Sequence, residues 1–475
     1  MSPHRITIVA ATLLAAIVTI GPGPSTPPGH ADTGTPQATG TMSGKVDGTP
    51  FTVRVPENWN GDLLLWSHAY TLPGGGPTLP ETDADHPQLT QWLLEAGYAL
   101  AGSEFESVPW PTPDMIDAQL GVLDWFAANV GEPRHVIAWG KSLGGATTAV
   151  LAERHPDRIS AAMPMCGEVA GAVAGFNAQL DVAFAAKTLL FGDAPVQLTG
   201  IADPQANQDR ANTLLRTALD TPEGAARLAL ANAYGPVPGW VDSLAPRPSD
   251  PDEQALHQYL YDRYQLGAFM FGSGRSQVES VLGGNPSWNT GVDYREQLAK
   301  SSQRDLVTTL YQRAGLDLDA DLDRLAAAPR VAPDPRAVAR LAREANLTGA
   351  LTRPAITLHS TGDAAAPVEA ERWYADRVAM QDRSANLRQV YVERANHCFF
   401  TAGEQLAVLR ALFDRLRTGE WPDLSPTALT AEADSHGPDF RTMWSYYSPG
   451  TQTVENEFRS LRPGPFLRPF PALPR

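Results

Sequence analysis

The stretch VIAWGKSLGGATTAVLAERHP, Val136 to Pro156, constrains the fold more than any other part of the chain. Val136 to Trp139 is a continuous apolar run, which reads as a strand buried on both faces. The alanine-rich run after Gly145 reads as a helix. Between them lies Gly140-Lys141-Ser142-Leu143-Gly144, a G-x-S-x-G pattern at the point where strand becomes helix. A serine held on so tight a turn has a strained backbone, and side chains two positions to either side would collide. Glycines at 140 and 144 remove the collisions. The serine then projects from the sheet edge above a helix N-terminus, whose dipole favours developing negative charge.

A strand of this kind needs parallel neighbours, and the surrounding sequence supplies them. Phe51 to Val55, Leu63 to Trp66, Tyr98 to Ala101, Ile159 to Met165, Ala355 to His359 and Leu387 to Val392 all read as strands. Helical patterns alternate with them, including Gln88 to Glu95, Asp114 to Val130 and Pro367 to Met380. Short alternation of this kind predicts an α/β fold, a mostly parallel sheet covered by helices. The alternation stops between Glu168 and Arg353. That stretch has long helical patterns and few strand signals, and predicts a large helical cap inserted between the sixth and seventh strands. The expected units are a first core part (44–167), the cap (168–353), a second core part (354–420) and a C-terminal extension (421–475). The extension carries Met443, Trp444, Tyr446 and Tyr447 and a Pro/Arg-rich end, expected to wrap the domain or to contact an insoluble polymer.

Residues 1–31 read as a signal peptide. His4 and Arg5 precede an apolar run from Ile6 to Ile20, too short for a typical span, and Gly29-His30-Ala31 offers small residues at the two positions a signal peptidase reads. Residues 32–43 are Thr/Gly/Pro-rich and are expected to be flexible. The export signal predicts a secreted protein with no membrane span after cleavage. The formal net charge of −16 argues against nucleic acid and anionic membrane as partners. Asp317-Leu318-Asp319-Ala320-Asp321-Leu322-Asp323 imitates the start of a calcium loop. However, Leu322 and Ala328 stand where the loop needs Gly and Glu, so an acid-rich helix start is expected and no metal. Asn346-Leu347-Thr348 is a glycosylation sequon of low specificity.

With its strand–turn–helix setting, the Gly140–Gly144 motif resembles the nucleophile turn of α/β-hydrolase-fold serine hydrolases, and the chain is similar to secreted actinobacterial hydrolases and esterases of that fold. The resemblance spans about Val53 to Leu416 and implies a triad in the chain order nucleophile, acid, base. Asp363, on the turn after Ala355–His359, is the implied acid, with Glu168 the fallback. His397, on the loop after Leu387–Val392, is the implied base, with His359 ranked second. The fold also implies an oxyanion site made by the backbone N–H of Leu143 and one from Ser67-His68-Ala69-Tyr70. Ala69 stands where the family usually has glycine, which leaves Ala69 or Tyr70 as the second donor. Tyr70 is preferred, with its ring expected in the pocket and His68 expected to orient the loop. Within this fold Cys166 and Cys398, the only cysteines, fall at the same sheet edge and are expected to form a disulfide.

These residues predict acyl transfer to water with no cofactor, on a small-molecule or polymeric acyl substrate. A carboxylic ester is the expected bond. The rival is a peptidase or amidase using the same triad, and a non-catalytic binding protein on the same scaffold is a third reading. The aromatics Tyr259, Tyr261, Phe269 and Phe271 either line an apolar acyl or aryl pocket or form the cap's own core.

Overall fold

Strand residues alternate in direction, so a run of apolar residues buries both faces of a sheet at once. In the computed structural model, which describes residues 38–71, 80–445, 447 and 450–471, the run at β3 does this. Leu63 and Leu65 face one side with α2 and α3, while Leu64 and Trp66 face the other with α1 and α15. The first half of the chain contains β1 (Gly40–Val46), β2 (Thr49–Val55), β3 (Asp62–Ser67), α1 (Pro87–Glu95), β4 (Ala99–Ser103), α2 (Pro113–Asn129), β5 (His135–Lys141), α3 (Leu143–Arg154) and β6 (Ala161–Met165). After the helical segment come β7 (Ala355–Gly362), α14 (Glu369–Met380), β8 (Leu387–Ala395), α15 (Ala402–Thr418) and α16 (Pro426–Asp434).

The main sheet has nine strands in the order β1-β2-β4-β3-β5-β6-β7-β8-β11. Its centre, from β4 through β8, is parallel, and β1 and β2 join it antiparallel. Helices cover both faces, α2, α3 and α14 on one and α1, α15 and α16 on the other. Parallel order puts the C-terminal ends of β3, β5, β6, β7 and β8 along one edge, where the loops carrying Ser142, Asp363 and His397 begin.

One expectation needs correction. Residues 32–43 were expected to be flexible, but Gly40–Ser43 belong to β1, paired antiparallel with β2. The strand has a polar, largely exposed face, which hid it among the Thr/Gly-rich residues. The aromatic-rich part of the helical segment contains an interruption. α7 (Pro251–Tyr261) passes through a π-helical turn at Asp262–Leu266 into the short α8 (Gly267–Phe271). The signal-peptide segment, residues 1–31, lies outside the described residues.

Between β6 and β7 the described chain is helical: α4 (Ala172–Leu190), α5 (Pro204–Ala218), α6 (Pro222–Asn232), α7, α8, α9 (Ser273–Leu282), α10 (Tyr294–Lys300), α11 (Arg304–Ala314), α12 (Leu318–Ala327) and α13 (Pro335–Ala345). They have their own core, in which Tyr259, Tyr261 and Phe271 are buried. The acidic run 317–323 opens α12. Asp317 caps it by accepting from the N–H groups of Asp319 and Ala320, and Arg295 pairs with Asp319 and with Asp323.

The C-terminal residues run along core and cap. A short hairpin, β9 (Thr442–Trp444) with β10 (Thr451–Thr453), precedes β11 (Phe458–Arg459), which extends the main sheet beside β8. Beyond it Phe466 is buried against the α14 face, and Arg468 pairs with the buried Asp181 of α4. No helix among the described residues is long and apolar enough to cross a membrane.

Candidate active site

Ser142 joins β5 to α3 with φ +57° and ψ −118°, a left-handed conformation rare for a residue with a side chain. The flanking glycines are required by contact. A Cβ on Gly140 would lie 2.6 Å from the Gly144 carbonyl oxygen, and one on Gly144 would lie 1.8 Å from that of Ser67. The turn is held from β6 by a 3.0 Å hydrogen bond from the Ser142 N–H to the Met165 carbonyl.

The structure brings Ser142, His397 and Asp363 together. His397 Nε2 stands 2.7 Å from Ser142 Oγ, and His397 Nδ1 stands 2.7 Å from Asp363 Oδ2. A carboxylate can only accept, so Nδ1 carries the proton toward Asp363 and Nε2 is left to accept from the serine hydroxyl. The other oxygen of Asp363 accepts from the N–H groups of Ala365 and Ala366, at 2.9 and 3.0 Å. The acid is therefore fixed by its own turn and fully buried, while the imidazole keeps partial access to solvent.

The two reserve residues have other places. Glu168 does not reach His397; its carboxyl accepts from the Ala170 N–H, and burial pushes its pKa up to about 8. His359 is completely buried. Its Nδ1 meets Glu371 at 3.1 Å and its Nε2 meets the Ala366 carbonyl at 2.8 Å, so neither nitrogen is free to act as base. Burial opposes its charge, but the Glu371 carboxylate and the nearby Asp363 outweigh that and raise its pKa to about 9.

Leu143 is the first residue of α3, where N–H groups of the first turn have no intrahelical acceptor. Tyr70 packs against the cluster that contains Leu143 and Phe105. Its hydroxyl donates to Gln277 of α9 at 2.7 Å, and its ring lies 5.4 Å from that of Phe269, so the loop after β3 meets the helical segment here. His68 stacks on Phe105 at 3.9 Å with Nδ1 2.8 Å from the Ala69 carbonyl, and burial lowers its pKa. These contacts orient the loop.

Cys166, directly after β6, is bonded to Cys398, directly after His397, with Cα atoms 5.4 Å apart. Cys166, Asn396 and Cys398 all have positive φ, so strained backbone from two loops meets at this bond.

Sequence reasoning missed three features of this neighbourhood. Glu371 is the partner of His359. Lys141, next to the serine, is buried with Nζ 2.5 Å from Asp83 Oδ2 and 3.6 Å from Asp85. Tyr261 and Gln265, from α7 and its π-helical turn, bind the residue before His397. The π-helical turn is an interruption that periodicity could have flagged; the other partners are distant in sequence and leave no local signal.

No protein-family model matches the chain. An o-phthalyl amidase of Xanthobacter agilis is 28% identical over 427 residues, spanning 84% of this chain and 92% of that protein. Among solved structures, feruloyl esterase B from Aspergillus oryzae aligns over 81% of this chain and 82% of its own, with TM-score 0.38 and 13% identity. Est1E from Butyrivibrio proteoclasticus aligns over 80% and 100%, with TM-score 0.34 and 14% identity. With its helix-covered parallel sheet, and with Ser142 on the turn from a central strand into a helix, the chain is a protein of the α/β-hydrolase fold.

Proposed function

We propose that the protein is a serine hydrolase that transfers an acyl group to water through an acyl-enzyme on Ser142. The observation that carries this reading is the pair of 2.7 Å contacts linking Ser142 Oγ to His397 and His397 to Asp363. In this mechanism Ser142 Oγ attacks the carbonyl carbon as its proton passes to His397 Nε2. The resulting oxyanion is held by the N–H of Leu143 and by one from Ala69 or Tyr70. His397 returns the proton to the leaving group, which departs with the bonding pair. It then takes a proton from water as the water attacks the acyl-enzyme, and gives that proton to Ser142 Oγ as the ester bond breaks and the acid leaves. Asp363 holds the imidazole in the tautomer this requires and stabilises the imidazolium.

Two leaving groups fit this chemistry. A carboxylic ester is the reading taken from the fold, an argument by association. An amide is favoured by a specific observation, the likeness to an o-phthalyl amidase across nearly all of that protein's length. The rings of Tyr70 and Phe269, where the loop after β3 meets the helical segment, suit an aromatic acyl group in either case. The apolar stretch Ile6–Ile20 and the disulfide, which needs an oxidising compartment, support an exported protein.

The test is hydrolysis of nitrophenyl esters of rising acyl length beside anilides and aryl amides, phthalyl amides included, with Ser142→Ala as control. Turnover of esters alone supports the esterase. Turnover of aryl amides at comparable kcat/KM supports the amidase. Activity that survives Ser142→Ala overturns the serine mechanism.

A further inference from the structure

His397 sits between two residues with positive φ, Asn396 at +75° and Cys398 at +62°. A loop strained on both sides of its working residue needs anchors. One is the disulfide at Cys398. The other comes from the helical segment between β6 and β7.

Tyr261, the last residue of α7, is completely buried. Its hydroxyl accepts from the Asn396 N–H at 2.8 Å and lies 2.5 Å from the Gly362 carbonyl and 2.9 Å from that of Trp240. Gly362 directly precedes Asp363, and Asn396 directly precedes His397. One phenol thus joins the backbones that carry the acid and the base. Burial and the neighbouring Asp363 hold its pKa far above the ordinary range, so it keeps its proton as a donor to those carbonyls. Four residues on, inside the π-helical turn, the side-chain amide of Gln265 donates to Asn396 Oδ1. The same oxygen accepts from the His397 N–H at 2.8 Å. Single π-helical turns inside α-helices are often found at functional sites. Here the turn follows Tyr261 and carries Gln265, so both side chains reach one loop.

We propose that Tyr261 and Gln265 are positioning residues for the triad: the helical segment between β6 and β7 sets the aim of His397 by holding the Gly362 and Asn396 backbones together. The inference rests on the serine-hydrolase reading. It makes this segment part of the catalytic framework; lifting α7 off the sheet would release the histidine loop.

Tyr261→Phe and Gln265→Leu test it, each assayed with Ser142→Ala in parallel on the best substrate of the panel above. A displacement well under 1 Å at a reacting nitrogen costs rate rather than affinity, so kcat is expected to fall about tenfold with KM changed less than about twofold. The rate of Ser142 labelling by a fluorophosphonate is expected to fall by the same factor. Assays run well below each variant's unfolding midpoint, so lost stability does not enter. If Tyr261→Phe fails to fold, Gln265→Leu carries the same reading alone. Folded variants with unchanged kcat, or with a loss confined to KM, overturn the proposal while Ser142→Ala remains dead. If Ser142→Ala keeps its activity, the serine mechanism is the part that fails.

Discussion

Cys398 is the neighbour of His397 in sequence, and its bond to Cys166 ties the histidine loop to the end of the strand that also holds the Ser142 turn. The bond spans 232 residues of sequence. In the chain-entropy account a loop of that length contributes about 5 kcal/mol to stability. The paired variant Cys166→Ala/Cys398→Ala is therefore expected to unfold at markedly lower temperature. Because Cys398 lies against the imidazole, kcat should fall as well at temperatures where the variant remains folded. Calorimetry with an activity assay checks both; an unchanged kcat would make the bond structural alone.

Asp363→Asn keeps the shape of the acid and its turn but offers an amide to His397 Nδ1. The histidine is then free to take the wrong tautomer, with Nε2 protonated toward Ser142. A loss on the order of a thousandfold or more in kcat is expected, with KM nearly unchanged. Glu168→Gln, by contrast, should leave kcat within about twofold, since its carboxyl bonds the Ala170 N–H and not His397. Steady-state kinetics on both variants decides which carboxylate serves the base.

The places of Ser142, Asp363 and His397 were readable because each follows a strand whose apolar run is local; their expected roles came from the resemblance to α/β-hydrolases. The β1 strand was not readable. Its residues alternate weakly, and as an edge strand it has only Met42 and Val46 partly buried. Nor was the two-residue β11, which exists only through its pairing with Tyr391 and Val392. The bonds from Tyr261 to Gly362 and Asn396 cross 101 and 135 residues. No periodicity records such a contact, because it depends on how the helical segment docks. Separation in sequence likewise hides Asp83 from Lys141.

The Lys141–Asp83 pair is buried on both sides, with side chains 7% and 4% exposed. Burial works against ionisation of Asp83, but Lys141 and His86 beside it hold its pKa below the usual carboxylate value. Removing one partner strands a buried charge, which costs about 3–5 kcal/mol. Lys141→Met is expected to destabilise by that order, and Lys141→Met/Asp83→Leu to recover a large part of it. Denaturant unfolding of the two variants measures the difference. If the double variant is no more stable than the single, the pair contributes more than its mutual compensation.

His359 gives the protein a specific alkaline limit. Its pKa in the folded state is about 9, against 6.5 when unfolded, because Glu371 and Asp363 favour the imidazolium inside the core. Between those values the folded protein holds a proton that the unfolded chain has lost, so stability falls as pH rises. The contribution is complete below pH 6.5, declines through that interval and is gone above the folded pKa. A shift of this size corresponds to about 3 kcal/mol. In His359→Gln the amide can still bond Glu371 or the Ala366 carbonyl but does not titrate, so this part of the slope should vanish. Chemical denaturation from pH 6 to 10 on both proteins checks it, and equal slopes would show that His359 is neutral in the fold.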